Sequence, residues 1–95
     1  MDLKRLVELK TKFVAREVGN ELILVPLADN VAKMSELFTM NETARFIWEN
    51  STENMTNDEL VQLMTNTFNI DKVTASKDIT LFLNHVETLF KKSAY

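Results

Sequence analysis

Apolar and polar residues change their period once along this chain, at the junction Leu37-Phe38-Thr39-Met40-Asn41-Glu42-Thr43-Ala44. Between Phe13 and the junction, apolar residues come in short runs that suit strands. After it they recur every three or four positions, the period of a helix with one buried face. Phe13–Val18 and residues 21–27 read as two strands around Gly19-Asn20, a two-residue turn whose positive φ glycine adopts at little cost. Residues 22–25 are an uninterrupted apolar run, as for a strand covered on both faces. Pro26 has no amide proton, so pairing is expected to stop there or to lie on an edge. Residues 28–33 read as a loop and residues 34–40 as a third strand.

Helices follow. Met40, Ala44, Ile47 and Trp48 share one helical face behind a cap from Thr39 or Asn41, and Thr39-Met40-Asn41-Glu42 fits a capping box. That helix should die out near residues 50–52. Thr56-Asn57-Asp58-Glu59 is a second capping box, with Met55 and Leu60 at the staple positions around it. Its acids suit the positive end of a helix dipole. Leu60, Val61, Met64 and Phe68 form the stripe behind it. Asn69-Ile70-Asp71 makes a short corner, and Asp71 or Thr74 can cap a last helix. There Ile79, Phe82, Leu83, Val86, Leu89 and Phe90 share a face, and Lys91-Lys92 suits its negative end. Ahead of the strands, residues 1–10 carry Leu3, Leu6, Val7 and Leu9 among charges, the spacing of a short amphipathic helix or a frayed arm; a disordered terminus is the alternative.

The order β-β-β-α-α-α points to an α+β domain. Two helices across a tight corner resemble a helix-turn-helix, with the hairpin as a wing placed before it. The expected fold is therefore winged helix-turn-helix-like: a three-stranded antiparallel sheet followed by three helices. Residues 1–12 form an arm, 13–92 a single domain and 93–95 a tail. The length of 95 residues suffices for one core.

Composition narrows the function more than it defines it. The chain has no Cys, one Gly and one His. Thiolate chemistry and a Gly-rich phosphate loop are excluded. His85 falls on the polar side of the last helix and reads as a solvated residue. Asp58 and Glu59 are adjacent, so they point apart on a helix, and their capping role explains them. No cofactor or metal is expected, and an enzyme reading is poor. With no apolar leader or spanning segment, a soluble cytoplasmic protein without membrane contact is the default. The net charge of −3 argues against nucleic acid, because counterion release needs a dense positive field. The last helix carries Lys77, Lys91 and Lys92 against Asp78 and Glu87, which is too balanced for a recognition helix.

A binding module remains. An edge strand exposes unpaired amides and carbonyls, and a peptide can complete it by strand addition. The third strand is the natural docking edge if the first two pair with each other. Leu81 and Phe46 sit off the main stripes of their helices and supply exposed apolar surface, a core filler or a dimer contact.

Residues 13–92 resemble the PqqD-like family. The resemblance rests on Phe13-Val14-Ala15-Arg16, on Met40-Asn41-Glu42-Thr43-Ala44 leading to Ile47-Trp48, on Thr56-Asn57-Asp58-Glu59-Leu60, and on Phe82-Leu83. The junction is the specific part. Family members are similar to winged-helix domains that bind peptides instead of DNA. The resemblance implies a non-catalytic recognition element that holds the leader of a ribosomally made precursor peptide. It presents that leader to a modifying enzyme, commonly a radical-SAM protein; in the namesake pathway the product is pyrroloquinoline quinone. Carried onto this chain, the groove lies between the third strand and the last helix. It would be lined by Ser35, Glu36, Leu37, Phe38 and Thr39, with Val73, Lys77, Thr80, Leu81 and Asn84 on the helix side. Family members often carry a Gly after the first helix of the three and another after the last, and Leu where Met40 stands here. Those departures leave open whether the peptide served is the quinone precursor. The alternatives from other classes are a winged-helix DNA-binding regulator and a homodimer that buries the exposed strand.

Overall fold

The computed structural model describes residues 2–28, 31–32 and 37–93. Helix α1 (Leu3–Leu9) opens the chain, capped by Asp2, whose Oδ1 accepts from the Arg5 amide at 2.8 Å. A short 3-10 turn (Lys10–Lys12) leads into β1 (Phe13–Val18) and β2 (Glu21–Ala28). Gly19 turns the hairpin with φ of 63°, as its position predicts. Then come β3 (Val31–Ala32) and β4 (Phe38–Met40), followed by α2 (Glu42–Asn50), α3 (Asn57–Phe68) and α4 (Lys72–Ser93). The fold is α+β: a three-stranded antiparallel sheet, with the short β3 appended to it, followed by three helices.

β2 is the central strand. β1 pairs with it from Phe13↔Pro26 to Val18↔Glu21, and β4 takes the other edge from Leu22↔Met40 to Leu24↔Phe38. Two expectations need correction here. Pairing does not stop at Pro26, because β2 runs on to Ala28 and pairs with β3 through Leu27↔Ala32 and Ala28↔Val31. Pro26 is tolerated because it falls between the β4 and β3 ladders on that edge, where no described residue pairs with it to ask for its missing proton. Residues 31–32, expected within a loop, are therefore strand. Of the third strand expected over residues 34–40, only Phe38–Met40 is strand; Leu37 precedes it, and residues 34–36 lie outside the described residues.

Local capping chemistry matches the sequence closely. Asn41, not Thr39, caps α2: Asn41 Oδ1 accepts from the Ala44 amide at 2.9 Å, while Thr39 stays in β4 and pairs with Ile23. Thr56 and Glu59 form the full capping box of α3. Asn69 ends that helix in the left-handed region, φ 55°, a conformation Asn accepts more readily than most residues. Asp71 then accepts from the Thr74 amide at 2.7 Å at the start of α4.

The core fills the space between the sheet and the helices. Leu22, Leu24 and Met40 from the sheet meet Ala44, Ile47 and Trp48 of α2, Leu60 and Met64 of α3, and the α4 stripe from Ala75 to Leu89. Leu3, Leu6 and Leu9 of α1 are buried in the same cluster. On the far side of the molecule, Lys10 ties the N-terminal segment to α2. Its ammonium lies 5.6 Å from the Trp48 ring and donates to the Ser51 carbonyl, the C-cap of α2, at 3.0 Å. Partial burial there lowers the pKa of Lys10.

Candidate peptide-binding site

Alternation along β4 builds the site. Met40 points inward and is buried, Thr39 points out, and Phe38 points inward again at the strand's start. Phe38 is half-buried against α4. Its ring lies 6.2 Å from that of Phe82 and meets the His85 ring edge-on at 5.0 Å, both on α4. Asp78, Phe82 and His85 follow each other at helical spacing, so one strip of α4 faces β4. The first turn of α2 closes the end of the space. Together Phe38, Thr39, Asn41, Thr43, Ala44, Asp78, Phe82 and His85 enclose a groove of about 140 Å³.

Beside this groove runs the edge of β4. β2 pairs with one side of the strand, and no described strand pairs with the other. The polar groups in the groove differ in how far they are already engaged. Asn41 Oδ1 holds the Ala44 amide and accepts from Thr43 Oγ1 at 3.1 Å. Asp78 is half-buried and forms no hydrogen bond or ion pair with any described residue. The groove offers an apolar floor, an open backbone edge and one carboxylate. Such an arrangement can hold an extended chain; it contains no nucleophile paired with a base. Among the described residues no group of three or more His, Asp or Glu could hold a metal ion, and no helix is long and apolar enough to cross a membrane.

Of the residues singled out from the sequence, Phe38 and Thr39 line the groove and Leu37 stands exposed just before it. Ser35 and Glu36 lie outside the described residues. Val73, Lys77, Thr80 and Leu81 gather elsewhere, in a shallow depression with Lys72 and Ser76 on the outer face of α4. Asn84 is exposed and does not line the groove. Val73 and Leu81 are 77% and 53% exposed, so this outer face is an apolar surface in its own right. The groove strip of α4 contains two positions that the sequence left as ordinary surface, Asp78 and His85. His85 is exposed, yet its ring packs on Phe38 instead of standing free in solvent. The available signal was their spacing: each lies one helical turn from Phe82, on the flank of the buried stripe that turns toward the sheet.

The described residues thus form an α+β domain in which the edge strand β4 lies beside a groove walled by α4. The family model described as Coenzyme PQQ synthesis protein D (PqqD) matches residues 21–88, and the chain belongs to that family. The matched span contains β2, β4, α2, α3 and the groove-lining part of α4. No curated protein and no solved structure matches the chain.

Proposed function

We propose that this protein is a non-catalytic recognition element. It holds the leader of a ribosomally made precursor peptide by strand addition to β4 and presents it to a separate modifying enzyme of radical-SAM type. The product is pyrroloquinoline quinone or a related modified peptide. The observation that carries this reading is the open edge of β4 beside an apolar groove, within the span matched by the PqqD family model. A peptide strand laid there gains main-chain hydrogen bonds from β4 and an apolar seat on Phe38 and Phe82. The winged-helix comparison belongs to this reading, with α4 as the helix that walls the groove. Micromolar affinity, about −8 kcal/mol, is enough for a carrier that must release its cargo.

The test is capture from the source cell's lysate with the protein as bait, followed by NMR titration of any short ribosomal peptide recovered. Shifts confined to the amides of residues 37–40 and the groove strip of α4, together with recovery of an iron–sulfur enzyme, support the proposal. Recovery of duplex DNA whose binding collapses with salt favours the regulator. Recovery of self-copies alone, with a concentration-dependent sedimentation coefficient, favours the homodimer.

A further inference from the structure

The groove contains a carboxylate that no described residue pairs with. Asp78 is half-buried, its carboxylate forms no ion pair with a described residue, and among the described residues it is the only carboxylate lining the groove, with no Lys or Arg beside it. The other polar groups among the described lining residues are Thr39, Asn41, Thr43 and His85, and none of them forms a hydrogen bond or ion pair with the Asp78 carboxylate. A carboxylate drawn partly out of water gains most from a partner that also fills its remaining acceptor sites. A docked peptide covers the groove and removes more water from Asp78. A peptide without a cation there would therefore meet a penalty, while one with Lys or Arg would form a charge-assisted pair.

Geometry places that cation. Asp78 precedes Phe82 by four positions, which along a helix is about 6 Å. Alternate residues of an antiparallel strand, which point to the same face, are about 6.8 Å apart. A strand lying along α4 with an apolar side chain seated on Phe38 and Phe82 would therefore bring its next same-face side chain within reach of Asp78. This inference rests on the strand-addition reading above. We propose that Asp78 is a specificity-determining residue, and that the protein selects peptides carrying an apolar residue and a Lys or Arg separated by one position. The order of the pair is set by the direction in which the peptide runs along β4.

The experiment is a selection from a display library of random short peptides, run in parallel on the wild-type protein and on Asp78→Lys. Asp78 is partly exposed and makes no contact with a described partner, so the substitution should preserve the fold, which circular dichroism checks. The wild type should enrich apolar–x–basic or basic–x–apolar peptides, and Asp78→Lys should enrich Asp or Glu at the same position. Replacing the basic residue of a selected peptide by Ala should weaken wild-type binding about ten- to a hundredfold, the range of a hydrogen bond to a charged group. Apolar peptides with no charge preference, or the same preference on both proteins, would overturn the inference while leaving strand addition intact. If the selected peptides leave the amides of residues 37–40 unshifted by NMR, the strand-addition reading fails, and this inference with it. Should Asp78→Lys lose its fold, Asp78→Asn serves instead, with loss of the basic preference as the expected result and its retention as the refuting one.

Discussion

The sheet has two edge strands, and they are built for different fates. β1 is six residues long, and beyond Phe13 every one of its side chains is exposed. Arg16 and Glu17 stand on it, and Glu17 pairs with Arg45 of α2. Charges on a long edge discourage unintended strand pairing. β4 has only three residues, yet its inward side chains are packed, Met40 in the core and Phe38 against α4. Both edges offer unpaired backbone. Only β4 has a helix standing beside it at a distance that leaves a groove. An open edge by itself is a hazard; in the proposed reading, the wall beside β4 turns its edge into a site, because it supplies side-chain pockets that would select among strands.

Removing what the two edges share should have the largest effect. Leu24 is fully buried in the central strand and lies opposite both Ala15 of β1 and Phe38 of β4. Leu24→Ala should cost about 2–5 kcal/mol, read as a lower denaturation midpoint with an unchanged slope. The next change separates the edges. Phe38→Ala removes the contacts to Phe82 and His85 from a half-buried site and should cost about 1–2 kcal/mol, less than a fully buried Phe. It should also abolish capture of strand-forming peptides. Its counterpart on the other edge, Val14→Thr, should stay within about 0.5 kcal/mol of wild type and bind peptides normally. Equal loss of peptide binding in both variants would break the comparison.

A smaller effect is expected at the caps that hold the helices behind β4. Thr56→Ala removes the side-chain half of the α3 capping box, the hydroxyl that accepts from the Glu59 amide, and should cost about 1 kcal/mol, measurable by thermal melting, with no change at the groove. The smallest lies at Asp71. Hydrogen bonding to Thr74 lowers its pKa below the ordinary 3.8. The sign follows from proton binding: the folded state holds this proton less readily than the unfolded one. The contribution is fully present above the ordinary value and is lost as pH falls through the lowered one. Asp71→Asn keeps the cap, and its acid melting curve should lack that loss below about pH 4.

Much of this architecture is visible in short stretches of chain. Gly19 marks the hairpin, Thr56 with Glu59 marks a helix start, Asn69 with Asp71 marks a corner, and the stripes of α2, α3 and α4 are the observed buried faces. Each depends on forces acting within one or two turns of backbone, so local sequence suffices. The cap of α2 was ambiguous between Thr39 and Asn41 because both fit a local motif. Pairing of Thr39 with Ile23, distant in sequence, resolves it.

The site depends on longer-range choices. That an edge strand lay just ahead of the helix junction follows from pattern alone, since strands 13–18 and 21–27 had each other as partners. Which side of α4 would face that edge did not follow. Val73, Lys77, Thr80 and Asn84 share one exposed flank, Asp78 and His85 another, and helical periodicity distinguishes buried from exposed but not one exposed flank from the other. The rotation of α4 was decided by packing, when Phe82 met Phe38 across more than forty residues of chain. Sequence by itself determined the hairpin, the three long helices, the caps of α3 and α4 and the identity of the edge strand, because those follow from local hydrogen bonding and from which faces must leave water. Only the tertiary structure decided that Asp78 and His85 flank the groove while Val73 and Leu81 look away from it. That choice is a contact between distant segments, which no short window of sequence encodes.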